Sequence, residues 1–187
     1  MVVKNMDVHL SLGDGATEVT AVALSADGRW LATGSTDNVV RLWSLTAVDP
    51  AASMRRLAWA DHDDNSLDRK GHQDDVTRLA FSPDSLWLAT GGKDDRVILW
   101  DLQVSDIGHW PILLEQPRAD VQRLFFTPDG MQLRATTGDR VTHVWNVDWY
   151  SLVQKACLIT KGRFTEAEWH DYMPDLPYRD TCAAWGE

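Results

Sequence analysis

Short apolar segments separated by turn-forming residues recur along the chain, and each has the length of a β-strand. The first three are residues 19–24, 30–33 and 39–43. Asp27-Gly28 stands between the first two and favours a tight turn, because glycine accepts positive φ and aspartate bonds nearby backbone amides. The segments are apolar at consecutive positions, as in sheets covered on both faces. The pattern therefore predicts an all-β architecture of short strands.

This pattern occurs three times, in segments that align without gaps from Val19, Val76 and Val121. Each repeat holds a first aspartate, a second aspartate and a tryptophan, which are Asp27, Asp37 and Trp43; Asp84, Asp94 and Trp100; and Asp129, Asp139 and Trp145. A fourth strand fits into each connector, at 54–59 and 110–115, and residues 8–12 look like the same strand of an earlier repeat. The repeat predicts consecutive four-stranded sheets.

The second repeat carries the motifs of a known family, Gly71-His72, Ser82-Pro83-Asp84, Leu88-Ala89-Thr90-Gly91 and Trp100-Asp101. On these residues the chain resembles WD-repeat β-propellers of the bacterial type over roughly residues 8–148. The resemblance implies a partial propeller of about three four-stranded antiparallel blades. Residues 149–158 and the capping box from Thr165 to Glu168 add a short α-helical C-terminal tail.

The resemblance also implies a structural hydrogen-bonded network in the second repeat, made of His72, Thr90, Asp94 and Trp100. Hydroxyl and imidazole groups give the carboxylate the partners that burial requires. The first repeat keeps Thr33, Asp37 and Trp43 but has Gly15 at the histidine position, and the third keeps Asp139 and Trp145 but has Pro117 and Ala135 at the other two. We therefore expect the complete network in the second repeat alone.

These assignments divide the chain into three predicted parts. Residues 1–13 form a leftover outer strand, and 149–187 form the tail. Residues 14–148 form the blades, at 19–60, 76–116 and 121–148, with an acidic insert at 61–70. Cys157 and Cys182 either form a disulfide or are reduced thiols, and the second alternative is favoured for a cytoplasmic protein.

The composition and the motifs of the chain argue against several classes of function. The net charge of −10, from 28 acidic and 18 basic residues, argues against nucleic acid and anionic membranes as partners. Motifs of hydrolases, zinc proteases and phosphate-binding loops are missing, so the sequence predicts no catalytic residues and no cofactor. Asp61, Asp63 and Asn65 begin like a calcium loop, but Ser66 stands where glycine is needed, so a solvated acidic loop is favoured and no metal is predicted.

The sequence thus predicts a non-catalytic, cytoplasmic scaffold that binds another protein. The predicted partner carries basic residues. The predicted partner-binding face comprises Asp61, Asp63, Asp64, Lys93, Asp95 and Arg140. The resemblance suggests the C-terminal sensing or docking segment of a larger bacterial regulator. The alternatives are a propeller enzyme with an active site in its central channel and a remnant of a decayed gene. Three repeats fall short of a ring, so the chain is either part of a longer protein or closes a ring as a homodimer.

Overall fold

The computed structural model describes residues 18–57, 71–103, 107, 111–114 and 117–147, which form three antiparallel sheets in chain order. The first sheet contains β1 (Val19–Leu24), β2 (Trp30–Ser35), β3 (Val40–Ser44) and β4 (Arg55–Leu57). The second contains β5 (Val76–Phe81), β6 (Trp87–Gly92), β7 (Val97–Asp101) and β8 (Ile112–Leu113). The third contains β9 (Val121–Phe126), β10 (Gln132–Thr137) and β11 (Thr142–Asn146). A short 3-10 helix, Ala51–Ser53, joins β3 to β4.

Each sheet is a meander in which consecutive strands pair, so the all-β prediction is confirmed. Strand ends differ from the sequence expectation. The second strand of the first repeat continues beyond residue 33, because Gly34 still pairs with Ala21 and Val40. The strand expected at 54–59 begins at Arg55 and is described as far as Leu57, and the strand expected at 110–115 is shorter, at Ile112–Leu113.

The turn after each first strand follows the same side-chain chemistry. In the first repeat, the Ser25 hydroxyl donates to the Asp27 carboxylate at 2.6 Å, and that carboxylate accepts the backbone N–H of Arg29 at 3.0 Å. These hydrogen bonds lower the pKa of Asp27 to about 2, and the bond from the Ser25 hydroxyl is the largest cause. The left-handed position of the turn is Gly28, with φ 71°, and its equivalent in the second repeat is Ser85, with φ 61°. A local sequence signal therefore sets this turn.

Neighbouring sheets pack through a close contact between a glycine and a valine. A Cβ on Gly34 would lie 2.7 Å from Val76 Cγ1, and one on Gly91 would lie 2.7 Å from Val121 Cγ1. The hydroxyls of Thr20 and Thr77 donate across the same junctions to the carbonyls of those two valines. The core lies between the first and second sheets and contains Ala32, Val40, Leu42, Leu57, Val76, Leu88, Ile98, Trp100, Leu102 and Ile107.

The chain divides into a unit of Met1–Asn146, which holds the three sheets, and a unit of Val147–Glu187. The predicted strand at 8–12, the insert at 61–70, both cysteines and the predicted helical tail lie outside the described residues. In the part of the chain that is described, no helix is long and apolar enough to cross a membrane.

Candidate interaction face

The second sheet brings His72, Thr90, Asp94 and Trp100 together. The imidazole Nδ1 lies 3.0 and 3.1 Å from the two oxygens of the Asp94 carboxylate, and Nε2 lies 2.8 Å from Thr90 Oγ1. Trp100 Nε1 donates to the same hydroxyl at 3.0 Å. An imidazole that carries its proton on Nδ1 satisfies all of these contacts, with Thr90 donating to Nε2. The chain of donors therefore runs from the core to the carboxylate.

Asp94 is the terminus of this chain, and it shapes the turn between β6 and β7. Burial alone would raise the pKa of the carboxyl group, but hydrogen bonds from His72 and from the backbone amides of Gln73 and Arg96 outweigh burial and lower it. The carboxylate accepts the Gln73 amide at 2.7 Å. Asp94 thus ties the connector that carries His72 to the turn that follows β6.

Gly92 provides the space for the His72 ring. A Cβ at this position would lie 2.6 Å from Asp94 Oδ1 and 2.9 Å from His72 Nδ1. The equivalent residues in the other two repeats are Ser35 and Thr137. A larger residue at position 92 would therefore require the His72 ring and the Asp94 carboxylate to shift.

The first sheet holds its aspartate with an arginine instead. Arg41, which is 2% exposed, donates to Asp37 Oδ2 at 2.6 Å and to Oδ1 at 3.1 Å. It also donates to the Ser35 hydroxyl at 3.0 Å. Hydrogen bonding to Arg41 is the largest cause that holds the pKa of Asp37 well below its usual range. Thr33 has no partner for its buried hydroxyl among the described residues, so this repeat replaces the network with an ion pair.

The third sheet uses a third arrangement. The Thr137 hydroxyl donates to Asp139 at 2.5 Å, and this bond is the first cause that lowers the pKa of the carboxyl group. His143, at the position of Arg41, adds a weaker contribution through its charge. Its ring stacks on Trp145 with centroids 5.7 Å apart, and its Nε2 is buried without a partner among the described residues. Ala135 supplies no hydroxyl here.

Sequence reasoning missed Arg41, Gly92 and His143. The sequence does contain a signal for Arg41, because it is the one charged residue in the apolar segment 39–43. The strand register explains why Arg41 and His143, which occupy equivalent positions, can each interact with the turn aspartate of their own repeat. Arg41 pairs with Thr33, and His143 pairs with Ala135, so both lie beside the position that the network hydroxyl takes in the second sheet.

The anchored turns form a charged surface that we call the turn face. It comprises the turns between β2 and β3, β6 and β7, and β10 and β11, together with the residues before β1, β5 and β9. Backbone bonds join the two parts in each repeat, from Thr36 N to Glu18 O, from Lys93 N to Asp75 O and from Gly138 N to Asp120 O. The acidic residue before the first strand is therefore fixed against the turn in every repeat.

The predicted binding residues that are described lie on the turn face. Lys93 is half exposed and pairs with the Asp75 carboxylate at 2.7 Å, which raises the pKa of the lysine. The pKa of Asp95 is also raised, first by burial and then by the charges of Asp120, Asp94 and Asp139. Carboxylates of the second and third sheets therefore act on one another across this surface. Asp61, Asp63 and Asp64 lie outside the described residues.

The left-handed residue of these turns is Asn38, Asp95 or Arg140, each with φ between 58° and 67°. Asparagine and aspartate accept this conformation readily, whereas arginine does so less well. Within the described residues, no group of three or more His, Cys, Asp or Glu side chains is placed to hold a metal ion. The turn face therefore consists of charged side chains on a fixed backbone.

Comparison with known proteins agrees with this fold. The family model for the WD domain, G-beta repeat, matches residues 6–44 and 65–101. Protein HIR1 of Cryptococcus neoformans var. neoformans is 32% identical over 158 residues, covering 81% of this chain and 17% of the relative. A subunit of chromatin assembly factor 1 from Gallus gallus is 28% identical over 137 residues, covering 68% and 23%. The chain thus spans about a fifth of the length of these curated relatives.

Both relatives are eukaryotic, which conflicts with the expectation of a bacterial type.

Two solved structures share the fold. The structure of U3-55K has a TM-score of 0.57 at 24% identity, covering 73% of this chain and 38% of that one. The RRP9 WD40 repeats have a TM-score of 0.56 at 24% identity, covering 73% and 37%. The chain therefore carries WD repeats, and its three described sheets form part of a WD-repeat β-propeller.

Proposed function

We propose that this chain is a non-catalytic scaffold that binds a basic segment of another protein on the turn face. The observation that carries the proposal is the fixed placement of acidic residues from all three sheets on one surface, where the backbones of Glu18, Asp75 and Asp120 are each bonded to the neighbouring turn. Lys93 and Arg140 also lie on this face, but its acidic residues outnumber its basic ones. A surface of net negative charge favours an approaching positive charge and increases its association rate. The network of His72 and the Arg41 ion pair have a structural role, because they hold the turns that present these charges.

The fold supports binding without chemistry. Loops on a rigid scaffold commonly carry recognition residues, and here each turn is anchored by its own aspartate. The relatives include a protein whose name describes one component of a chromatin assembly factor. A role as one component of a larger assembly is the finer part of the proposal, and a cytoplasmic location stays a prediction.

Peptide binding tests this proposal. A short fluorescent peptide of alternating lysine and valine is titrated with the full chain at several salt concentrations, and anisotropy is measured. We expect binding that weakens as salt rises. The double variant Asp95→Asn and Asp120→Asn should weaken binding by about threefold to tenfold. Asparagine suits the left-handed backbone at position 95, so the turn should persist.

A matched control removes two carboxylates from the other end of the second sheet. Asp84 and Asp101 lie at the β5–β6 turn and the end of β7, and each accepts one backbone amide, which asparagine can also accept. The variant Asp84→Asn and Asp101→Asn should change affinity by less than about twofold. Equal losses in the two double variants would show that only net charge matters, and the turn face would then have no special role.

A further inference from the structure

One face of the third sheet is exposed and differs in character from its equivalents. Its residues, which we call the Arg134 face, are Arg123 and Phe125 of β9, Gln132, Arg134 and Thr136 of β10, and Thr142, Val144 and Asn146 of β11. Arg134 pairs with Phe125 and Val144 in the sheet register, so these side chains share one side. Phe125 is 44% exposed and Val144 is 51% exposed.

In the first two sheets the same face packs against the next sheet. Its residues in the second sheet, Ala89, Val97 and Leu99, are completely buried, as are Ala32, Val40 and Leu42 in the first. Gly34 and Gly91 lie on these faces, and each leaves room for a valine of the next sheet. Sheet stacking here therefore requires small or apolar residues and one glycine.

The third sheet departs from this requirement at each of these points. Thr136 replaces the glycine, so a valine in the same position would lie within about 3 Å of a Cβ atom, a contact that real side chains avoid. Arg134 replaces the alanine, and a stacked sheet would bury its charge. Gln122 replaces Thr20 and Thr77, whose hydroxyls bond across the other junctions. The Arg134 face is therefore unsuited to another sheet stacked in the same way.

The charge of the face indicates what it could bind. None of its eight residues is acidic, although the chain carries a net charge of −10. The Arg134 guanidinium donates to Gln132 Oε1 at 2.9 and 3.3 Å, and this neutral partner leaves its positive charge in place. Gln132 Nε2 in turn donates to Asn146 Oδ1 at 3.4 Å. Arg123 is exposed, and no described carboxylate forms an ion pair with it.

The turn at one end of the face supplies one negative charge. Asp129 has a lowered pKa, first because of the Thr127 hydroxyl and the Met131 amide, and more weakly because of the charge of Arg134. The carboxylate is thus occupied by its own turn. Arginine and aromatic side chains together are typical of protein interfaces, because guanidinium groups bind carboxylates and the aromatic ring buries apolar area.

We propose that the Arg134 face binds an acidic polypeptide segment of another protein, whose carboxylates pair with Arg123 and Arg134 and whose apolar side chains cover Phe125 and Val144. This surface is distinct from the turn face, and it selects a partner of opposite charge. The inference goes beyond the proposed function, and either can fail without the other.

The test uses a short fluorescent peptide of alternating glutamate and valine, titrated with the full chain and followed by anisotropy. Binding to a chain of net charge −10 is itself informative, because the overall charge opposes it. Arg123→Glu should weaken binding by about fivefold to thirtyfold, since an attraction becomes a repulsion. Arg56→Glu is the matched control, because Arg56 is an exposed strand arginine of the first sheet, and it should change affinity by less than about twofold.

The variant Phe125→Ser tests the apolar part of the contact, which does not depend on charge. It should weaken binding of the glutamate peptide at high salt as well as at low salt, because the apolar contact is not screened. Equal effects of Arg123→Glu and Arg56→Glu, or no binding of the glutamate peptide, would overturn the proposal. A concentration-dependent dimer of the wild-type chain that Arg123→Glu dissociates would also overturn it, in favour of a second copy as the occupant.

Discussion

Gly92 lies beside the ring of His72, and a methyl group added there tests the network of the second sheet directly. In Gly92→Ala the new Cβ would lie 2.6 Å from Asp94 Oδ1, 2.9 Å from His72 Nδ1 and 2.9 Å from the Asp75 carbonyl. Relieving such overlap in a packed region costs about 1–3 kcal/mol. Loss of a buried hydrogen bond to a charged group costs about 1.5–3 kcal/mol. Since the ring can move partly away, we expect a total loss of about 2–4 kcal/mol.

Urea unfolding of the full chain, followed by tryptophan fluorescence, measures this loss. Gly138→Ala is the control, because its Cβ would find Gln122 Nε2 at 3.5 Å, an ordinary contact. The control should stay within about 0.5 kcal/mol of the wild type. Loss of about 2–4 kcal/mol should lower the Tm by about 5–15 °C in a chain of this length.

A double-mutant cycle separates this cause from general damage to the strand. The first sheet has serine at the equivalent position, where the Ser35 hydroxyl donates to the turn aspartate, Asp37, and the position of the histidine is taken by Gly15. Gly92→Ser should therefore cost about 1–2 kcal/mol less in a His72→Ala background than in the wild type. Additive effects within about 0.5 kcal/mol would refute the argument that the glycine exists to admit the ring.

Two further predictions concern the aspartates that anchor the turns. Arg41→Ile introduces the residue of the second repeat and removes the buried cation from Asp37, so urea unfolding should show a loss of about 2–4 kcal/mol; a loss no larger than that of Arg56→Ala would contradict this. The pKa of Asp94 is lowered in the folded state, so its stabilisation is complete above the unfolded pKa of about 3.9 and is lost as the pH falls through the folded value. Unfolding free energies measured from about pH 7 to pH 3 should fall less steeply below about pH 5 in Asp94→Asn, and an unchanged slope would count against this assignment.

Strand order and turn position were predictable from the sequence because both depend on neighbouring residues. Largely apolar segments of four to six residues, at 19–24, 30–33 and 39–43 and separated by turns at Asp27-Gly28 and Asp37, mark the strands of the first sheet well. Their ends were less accurate, because Gly34 continues a ladder that propensity alone would stop. Pairing with strands on both sides overrides the weak strand preference of glycine.

The repeat alignment also grouped His72, Thr90, Asp94 and Trp100, which the structure places in contact. It did not indicate that the other repeats hold their aspartates by different means. From the sequence alone, Arg41 would be expected at the surface. In the structure it pairs with Thr33 in the sheet, and its guanidinium group donates to Asp37. Contacts of this kind join residues through the sheet and depend on side-chain direction.

The sequence by itself determined that this protein consists of repeated short strands with aspartate turns, because periodicity and turn chemistry act over a few residues. Only the tertiary structure decided which face of each sheet is buried. Gly34 and Gly91 are required because another sheet approaches them, whereas Thr136 is tolerated because none of the described residues does so. Packing between sheets depends on residues far apart in the chain, and this is the physical reason why the Arg134 face could be recognised from the structure alone.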